Sequence, residues 1–220
     1  MARQIRKQSA AIVMLPLGLR ALPRGSEVIP RGRAEIDLRR VAVVGSSCSG
    51  KTTFAAGLAC LLQVPHIELD ALHWRPGWTE APPGEFRAAV AAATSADRWV
   101  GDGNYGVVRD LVWGRATAVI WLNYPFATVL WRGLSRTMRR AVLRETLYGG
   151  NRETLRRAFL SRDSILWWVV TTHRRRRRQY TSLFACPDFG ALHLLELRTP
   201  REAKGFLRYW ERVLAEQGQA

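Results

Sequence analysis

Lysine is nearly missing from this sequence of 220 residues: among its 34 basic side chains only Lys7, Lys51 and Lys204 are lysines. That scarcity fits a GC-rich coding bias, and it removes one function class. The guanine-reading element Asn-Lys-x-Asp has nowhere to sit, so guanine recognition by that route is excluded. Cysteine is scarce as well. Cys48, Cys60 and Cys186 are odd in number and lack paired metal-ligand spacing, which argues against a disulfide framework and a zinc site and points to a reducing cytoplasm. Long apolar runs are missing too. Ile165 to Val170 leads straight into His173 and five arginines, so no segment offers the roughly twenty apolar residues of a membrane span. Arg3, Arg6 and Lys7 followed by Ala10 to Leu17 resemble the opening of a signal peptide, but the run is short and holds Pro16. Residues 1–38 are read instead as a basic, disordered extension or the product of a misplaced start codon.

What the chain has is enough apolar residue, 47 %, to bury one sizeable core, and a formal charge of +16 that is unevenly spread. Residues 41–125 are close to neutral, whereas residues 126–180 hold fourteen arginines against Glu145, Glu153 and Asp163. A near-neutral half followed by an arginine-dense segment suits a module that neutralises phosphates; a helix wetted by arginines would look similar.

From Arg39 onward short β-branched runs alternate with longer amphipathic stretches, the pattern of βαβ units around a parallel sheet. Strands are expected at Val41 to Val44, Val64 to Leu69, Arg98 to Gly101, Ala116 to Leu122 and Ala191 to Leu197. Helices are expected at Lys51 to Leu62, Pro83 to Ala93 and Tyr105 to Trp113, after Pro125, and from Pro200 to the end. The expected fold is α/β: a three-layer P-loop NTPase domain over residues 39–220, with a central five-stranded parallel sheet and an Arg-rich helical lid at about 126–180.

Between the first strand and the first helix stands Gly45-Ser46-Ser47-Cys48-Ser49-Gly50-Lys51-Thr52, the spacing G-x-x-x-x-G-K-[ST]. In such a turn successive backbone N–H groups converge on phosphates and the helix N-terminus adds favourable partial charge. Lys51 would reach the β- and γ-phosphates of ATP, Thr52 would supply a hydroxyl to Mg²⁺, and Thr53 follows on the same turn. An acidic partner for the metal is expected at the end of another strand. Asp102 and the end of Ala116 to Leu122 are the candidates; the latter ends in Asn123, which brings no charge, so Asp102 is preferred. Asp102-Gly103-Asn104 also reads as an ordinary turn.

Four segments together carry a family resemblance: Gly45 to Thr52; Leu69-Asp70-Ala71-Leu72-His73-Trp74 with Pro76-Gly77-Trp78; Trp99-Val100-Gly101-Asp102-Gly103-Asn104-Tyr105; and Val119-Ile120-Trp121-Leu122-Asn123-Tyr124-Pro125. Over about Val41 to Tyr180 the chain resembles the adenylate-kinase-related proteins of the topology modulation protein type. The resemblance implies a nucleoside-monophosphate-kinase-like phosphotransferase in which Asp102 serves the metal side and an arginine, here Arg109 as the nearest substitute, meets the acceptor. That family's fourth strand often ends in Asp, from which Asn123 departs.

Asp70 to Trp78 follows the second strand and so should border the phosphate loop on the acceptor side. Asp70 could orient or deprotonate an acceptor hydroxyl, His73 could hydrogen-bond it, and Trp74, Trp78 or Tyr105 could flank a flat substrate. The competing reading is a hydrophobic cap with a structural histidine. Arg132, Arg136, Arg140 and Arg144 recur at i, i+4, so on one helix they form a positive face able to stabilise transferring phosphoryl groups. Of Arg174 to Arg178, Arg177 matches the Arg-x-x-Tyr spacing that closes the lid in adenylate kinases, with Tyr180. Trp167 and Trp168 are expected to pack as a hydrophobic stripe.

Two functions are weighed. The first is an ATP- and Mg²⁺-dependent kinase acting on a small acceptor, a nucleoside monophosphate among the candidates, as a cytoplasmic monomer or weak dimer. The second is a nucleic-acid-binding or regulatory ATPase that grips phosphate backbone with its arginines. No recognised nucleic-acid-binding motif is present, and the kinase is favoured.

Overall fold

The computed structural model describes residues 36–143, 165–186, 189 and 192–218. The proposed disorder of the extension, and Arg144, lie outside these residues, and of Arg140, Trp167 and Trp168 only the backbone is described.

Five parallel strands form the main sheet: β1 (Arg40–Gly45), β2 (His66–Glu68), β5 (Trp99–Asp102), β6 (Ala118–Leu122) and β7 (His193–Leu197), ordered β2-β5-β1-β6-β7. The expected α/β sheet is therefore present. The hairpin strands β3 (Trp74–Arg75) and β4 (Thr79–Glu80) pair antiparallel outside it. β1 is buried because helices cover both faces of the sheet, and its period-2 alternation feeds two cores. Val41 and Val43 face α1 (Lys51–Leu62), with Phe54 and Leu58, and α7 (Pro200–Gly218), with Phe206 and Trp210. Ala42 and Val44 face α3 (Pro83–Ala93), with Phe86 and Val90, and α4 (Arg109–Arg115), with Val112 and Trp113.

Several boundaries differ from expectation, each for a local reason. Packing begins before residue 39, since Ile36 and Leu38 are both buried in the core. The second strand ends at Glu68, where α2 (Leu69–His73) starts and turns Leu69 inward, so Asp70 sits in a helical turn rather than at a strand end. Tyr105 to Trp113 divides into a 3₁₀ turn at Gly106–Val108 and then α4, because a glycine and two β-branched valines make a poor first turn of α-helix. Ala116 belongs to the end of α4, its N–H bonded to Val112 O at 3.0 Å, and β6 starts two residues later. Asp102 lies within β5, not beyond it.

α5 (Phe126–Leu143) and α6 (Ile165–Phe184) pack on each other. Their bases belong to the domain: Val129 and Val169 are buried in one core, and Tyr180 in the other. Among the described residues no helix is long and apolar enough to cross a membrane.

Candidate active site

Parallel pairing aligns the carboxyl ends of the central strands: Val43 lies beside Asp102, and Gly45 beside Leu122. The chain must leave β1 here in a tight turn. Gly45 takes φ 154°, and a Cβ on it would lie 2.7 Å from Leu122 O and 2.9 Å from Ser49 Oγ. Gly50 takes φ 87°, and a Cβ there would run into the Arg132 guanidinium. Both glycines are thus required by the backbone. α1 then starts with no side-chain cap and no acidic residue in its first turn, which leaves its N-terminal N–H groups and positive dipole end for an anion.

Lys51 heads this helix, and its Nζ donates to Ser46 O at 3.2 Å. Burial lowers the pKa of its ammonium, an effect opposed by Asp70 and Asp102 and reinforced by Arg136. Beside it, Thr52 Oγ1 donates to Asp102 Oδ2 at 2.8 Å, and Asp102 is only 4 % exposed. The other carboxylate oxygen faces His66 Nε2 at 2.9 Å. Ser46 and Ser47 are half-buried, Thr53 is exposed, and Ser49 Oγ is buried without a partner. Cys48, at φ 65°, accepts from Arg136 Nη2 at 3.0 Å through Sγ.

α5 thus turns Arg132 and Arg136 onto the loop. Arg132 also lies over the Tyr124 ring at 5.9 Å, and Arg136 Nε is buried without a partner. Of the five consecutive arginines on α6 the one turned inward is Arg176, whose Nη1 donates to Asn104 O at 3.0 Å, while Arg177 is exposed. The Arg-x-x-Tyr spacing points instead to Arg177. Helical geometry puts adjacent arginines about 100° apart, so only one of the two can face the loop.

Asn104 links three elements. Its Nδ2 donates to Gly45 O at 2.5 Å, and its Oδ1 accepts from Gly45 N at 3.3 Å and from Tyr180 Oη at 2.8 Å. Next to it, Tyr105 Oη donates to Asp70 Oδ1 at 2.6 Å; burial and the negative charge of Asp70 push that phenol's pKa up, so it stays a donor at neutral pH. His73 is set among aromatic rings, 4.5 Å from Tyr105 and 4.9 Å from both Trp74 and Phe86, with Nδ1 buried and unpartnered. Trp74 also meets Trp78 edge-on at 5.7 Å. Arg109 lies over the Trp113 ring at 5.9 Å and lines a small cavity with Asn104, Tyr105 and Tyr180.

The structure therefore gathers Lys51, Thr52, Asp102, Arg132 and Arg136 around the loop, and Asp70, His73, Trp74 and Tyr105 in a neighbouring cluster connected to it through Asn104. Sequence reasoning passed over His66, Asn104 as a clasp, and Arg176. One signal was available for His66: it and Glu68 alternate with buried Ile67 on a strand of a covered sheet, where polar residues need partners.

No protein-family model matches this chain, and no curated protein matches it. Among solved structures it is similar to a shikimate kinase from Acinetobacter baumannii, at 15 % identity over 83 % of this chain and 96 % of that one, with a TM-score of 0.47. It is also similar to a gluconokinase from Sinorhizobium meliloti, at 19 % identity over 81 % and 97 %, with a TM-score of 0.45. A shikimate kinase from Bacteroides thetaiotaomicron is similar at 14 % identity over 80 % and 98 %, with a TM-score of 0.44.

Proposed function

We propose that this chain is an ATP-dependent kinase that transfers the γ-phosphoryl group to a hydroxyl or phosphate oxygen of a small acceptor. The observation that carries the reading is the Thr52–Asp102 pair at 2.8 Å, next to Lys51, at the mouth of an uncapped helix. A buried carboxylate bonded to the hydroxyl that follows the loop lysine is what a metal–phosphate site requires and what a plain glycine turn does not.

The residues suit Mg²⁺. Thr52 Oγ1 and Asp102 Oδ2 are hard oxygen donors, and among the described residues no group of three or more His, Cys, Asp or Glu forms a protein cage. Thr52 and Asp102 would hold the ion, with phosphate and water supplying its remaining ligands. Bound there, Mg²⁺ neutralises phosphate charge. The loop N–H groups and Lys51 hold the donor phosphates; Arg132 and Arg136 place positive charge where the transferring group passes. Asp70, with Tyr105 fixing one oxygen, orients the acceptor and can take its proton. The acceptor oxygen bonds to the γ-phosphorus as the bond to the β,γ-bridging oxygen breaks, and ADP leaves.

The test is ADP formation from ATP and Mg²⁺ across a panel of nucleoside monophosphates, sugar acids and cyclic polyols, against the acceptor-free rate. One class should raise turnover well above that rate, and Lys51→Ala should lower it about a hundredfold or more. Turnover that survives Lys51→Ala removes the kinase reading.

One observation favours a second reading, the nucleic-acid-binding ATPase. Arg174, Arg175, Arg177 and Arg178 are all exposed on α6. Nucleic-acid binding through them would weaken steeply with salt and persist in Lys51→Ala.

A further inference from the structure

β2 is an edge strand, and its side chains alternate across the sheet. Ile67 joins the core that contains Phe86 and Val90 of α3, so His66 and Glu68 face the opposite side, where Thr52 and Asp102 meet. His66 pairs with Val100, two residues before Asp102 on β5, and its ring reaches forward to the carboxylate.

Both oxygens of Asp102 are thereby engaged. Oδ2 accepts from Thr52 Oγ1 at 2.8 Å, and Oδ1 faces His66 Nε2 at 2.9 Å. An ionised carboxylate only accepts, so Nε2 carries the proton in this bond. Behind the ring, Nδ1 lies 3.8 Å from Glu68 Oε1. The terminal torsion of an aspartate is soft, and a carboxylate held at one oxygen can swing. Held at both, it cannot. The Thr52 proton stays committed to Asp102, and the hydroxyl lone pairs remain for a cation.

We propose that His66 is a positioning residue for the metal of the nucleotide site, fixing Asp102 so that Thr52 and Asp102 present their oxygens together. The inference rests on the nucleotide-binding reading above and concerns the metal rather than the acceptor. Metal sites depend on such outer partners, whose loss typically costs 10- to 100-fold in affinity.

The measurement is Mn²⁺ binding to the protein–ADP complex, followed by electron paramagnetic resonance, beside ADP affinity in the presence of a chelator. His66→Leu should weaken Mn²⁺ binding about tenfold or more, with metal-free ADP affinity unchanged. His66→Gln, whose amide can donate to the same oxygen, should recover most of the loss. Should His66→Leu not fold, His66→Asn, whose shorter amide does not reach Asp102 from β2, serves in its place. Parental Mn²⁺ affinity in the variant that cannot donate overturns the proposal. So does an equal loss of metal-free ADP binding, which would mark His66 as a structural support for the loop. A parent protein that binds neither ADP nor Mn²⁺ with ADP overturns both this proposal and the nucleotide reading. One that binds both but phosphorylates nothing removes only the kinase.

Discussion

At the scale of single residues, Lys51 is held in a costly state. Burial lowers its pKa, and Asp70 and Asp102 restore only part of the shift. A lysine whose folded pKa lies below its unfolded value binds its proton less well in the folded chain. Its charge therefore subtracts stability below the folded pKa, and the penalty fades as pH rises toward the unfolded value. Lys51→Met should accordingly raise the thermal midpoint of the ligand-free protein at pH 7 by about 2–4 °C, or ~1 kcal/mol, while phosphoryl transfer disappears. Calorimetry of the two proteins at pH 7 and pH 10 checks this, since the gap should narrow at the higher pH. A variant that melts below the parent at pH 7 refutes the account. Asp102, also buried, is engaged at both oxygens, by Thr52 on one side and His66 on the other.

At the scale of elements, the paired strands β6 and β7 are also joined at their carboxyl ends by side chains. Asn123 Nδ2 donates to Glu196 Oε1 at 2.5 Å, and Arg198 Nη2 donates to Glu196 Oε2 at 2.9 Å. Burial alone would raise the Glu196 pKa, but these donors outweigh it and hold the carboxyl below its usual range. The pair therefore adds stability above the ordinary glutamate pKa, and that contribution is lost as pH falls through the lowered value. An amide at the end of this strand thus serves as a donor to the carboxylate beside it. Asn123→Asp would put two carboxylates in contact, one of which must hold a proton. Urea midpoints should then show a loss of about 1–3 kcal/mol at pH 7.5 that shrinks at pH 5. A loss independent of pH would count against it.

The same scale shows what the sequence could disclose. Lys51–Leu62 and Pro83–Ala93 were legible to the residue, because Gly50 and Pro83 mark their starts and their apolar spacing is helical. The phosphate loop was legible because its chemistry demands fixed residue types at fixed spacing. The clasp made by Asn104 was not. Asn104 is distant in sequence from Gly45 and Tyr180; the β1–β5 pairing brings it to the first, and the packing of α6 on the core brings it to the second. Arg176 was hidden for a similar reason: in a run of five arginines, composition cannot tell which one the helix turns inward.

For the molecule as a whole, two cores on opposite faces of one sheet share the work of stability. The face covered by α1 is closed by α7, whose Phe206 and Trp210 are nearly inaccessible. Trp210→Ala should cost about 3–5 kcal/mol in urea unfolding. Nucleotide affinity of the folded fraction should stay close to that of the parent, because Trp210 lies in the core beneath α1 rather than at the loop. Near-parental stability would show that α7 is peripheral. The order of the strands has a further consequence, for the time course of folding. β1 sits in the middle of the sheet yet, among the described residues, precedes every other strand, and its partners Trp99 and Ala118 lie far along the chain. During synthesis it emerges with both edges open and must wait for β5 and β6. Such non-local pairing makes a domain a slow folder and exposes a hydrophobic strand to other chains in the meantime.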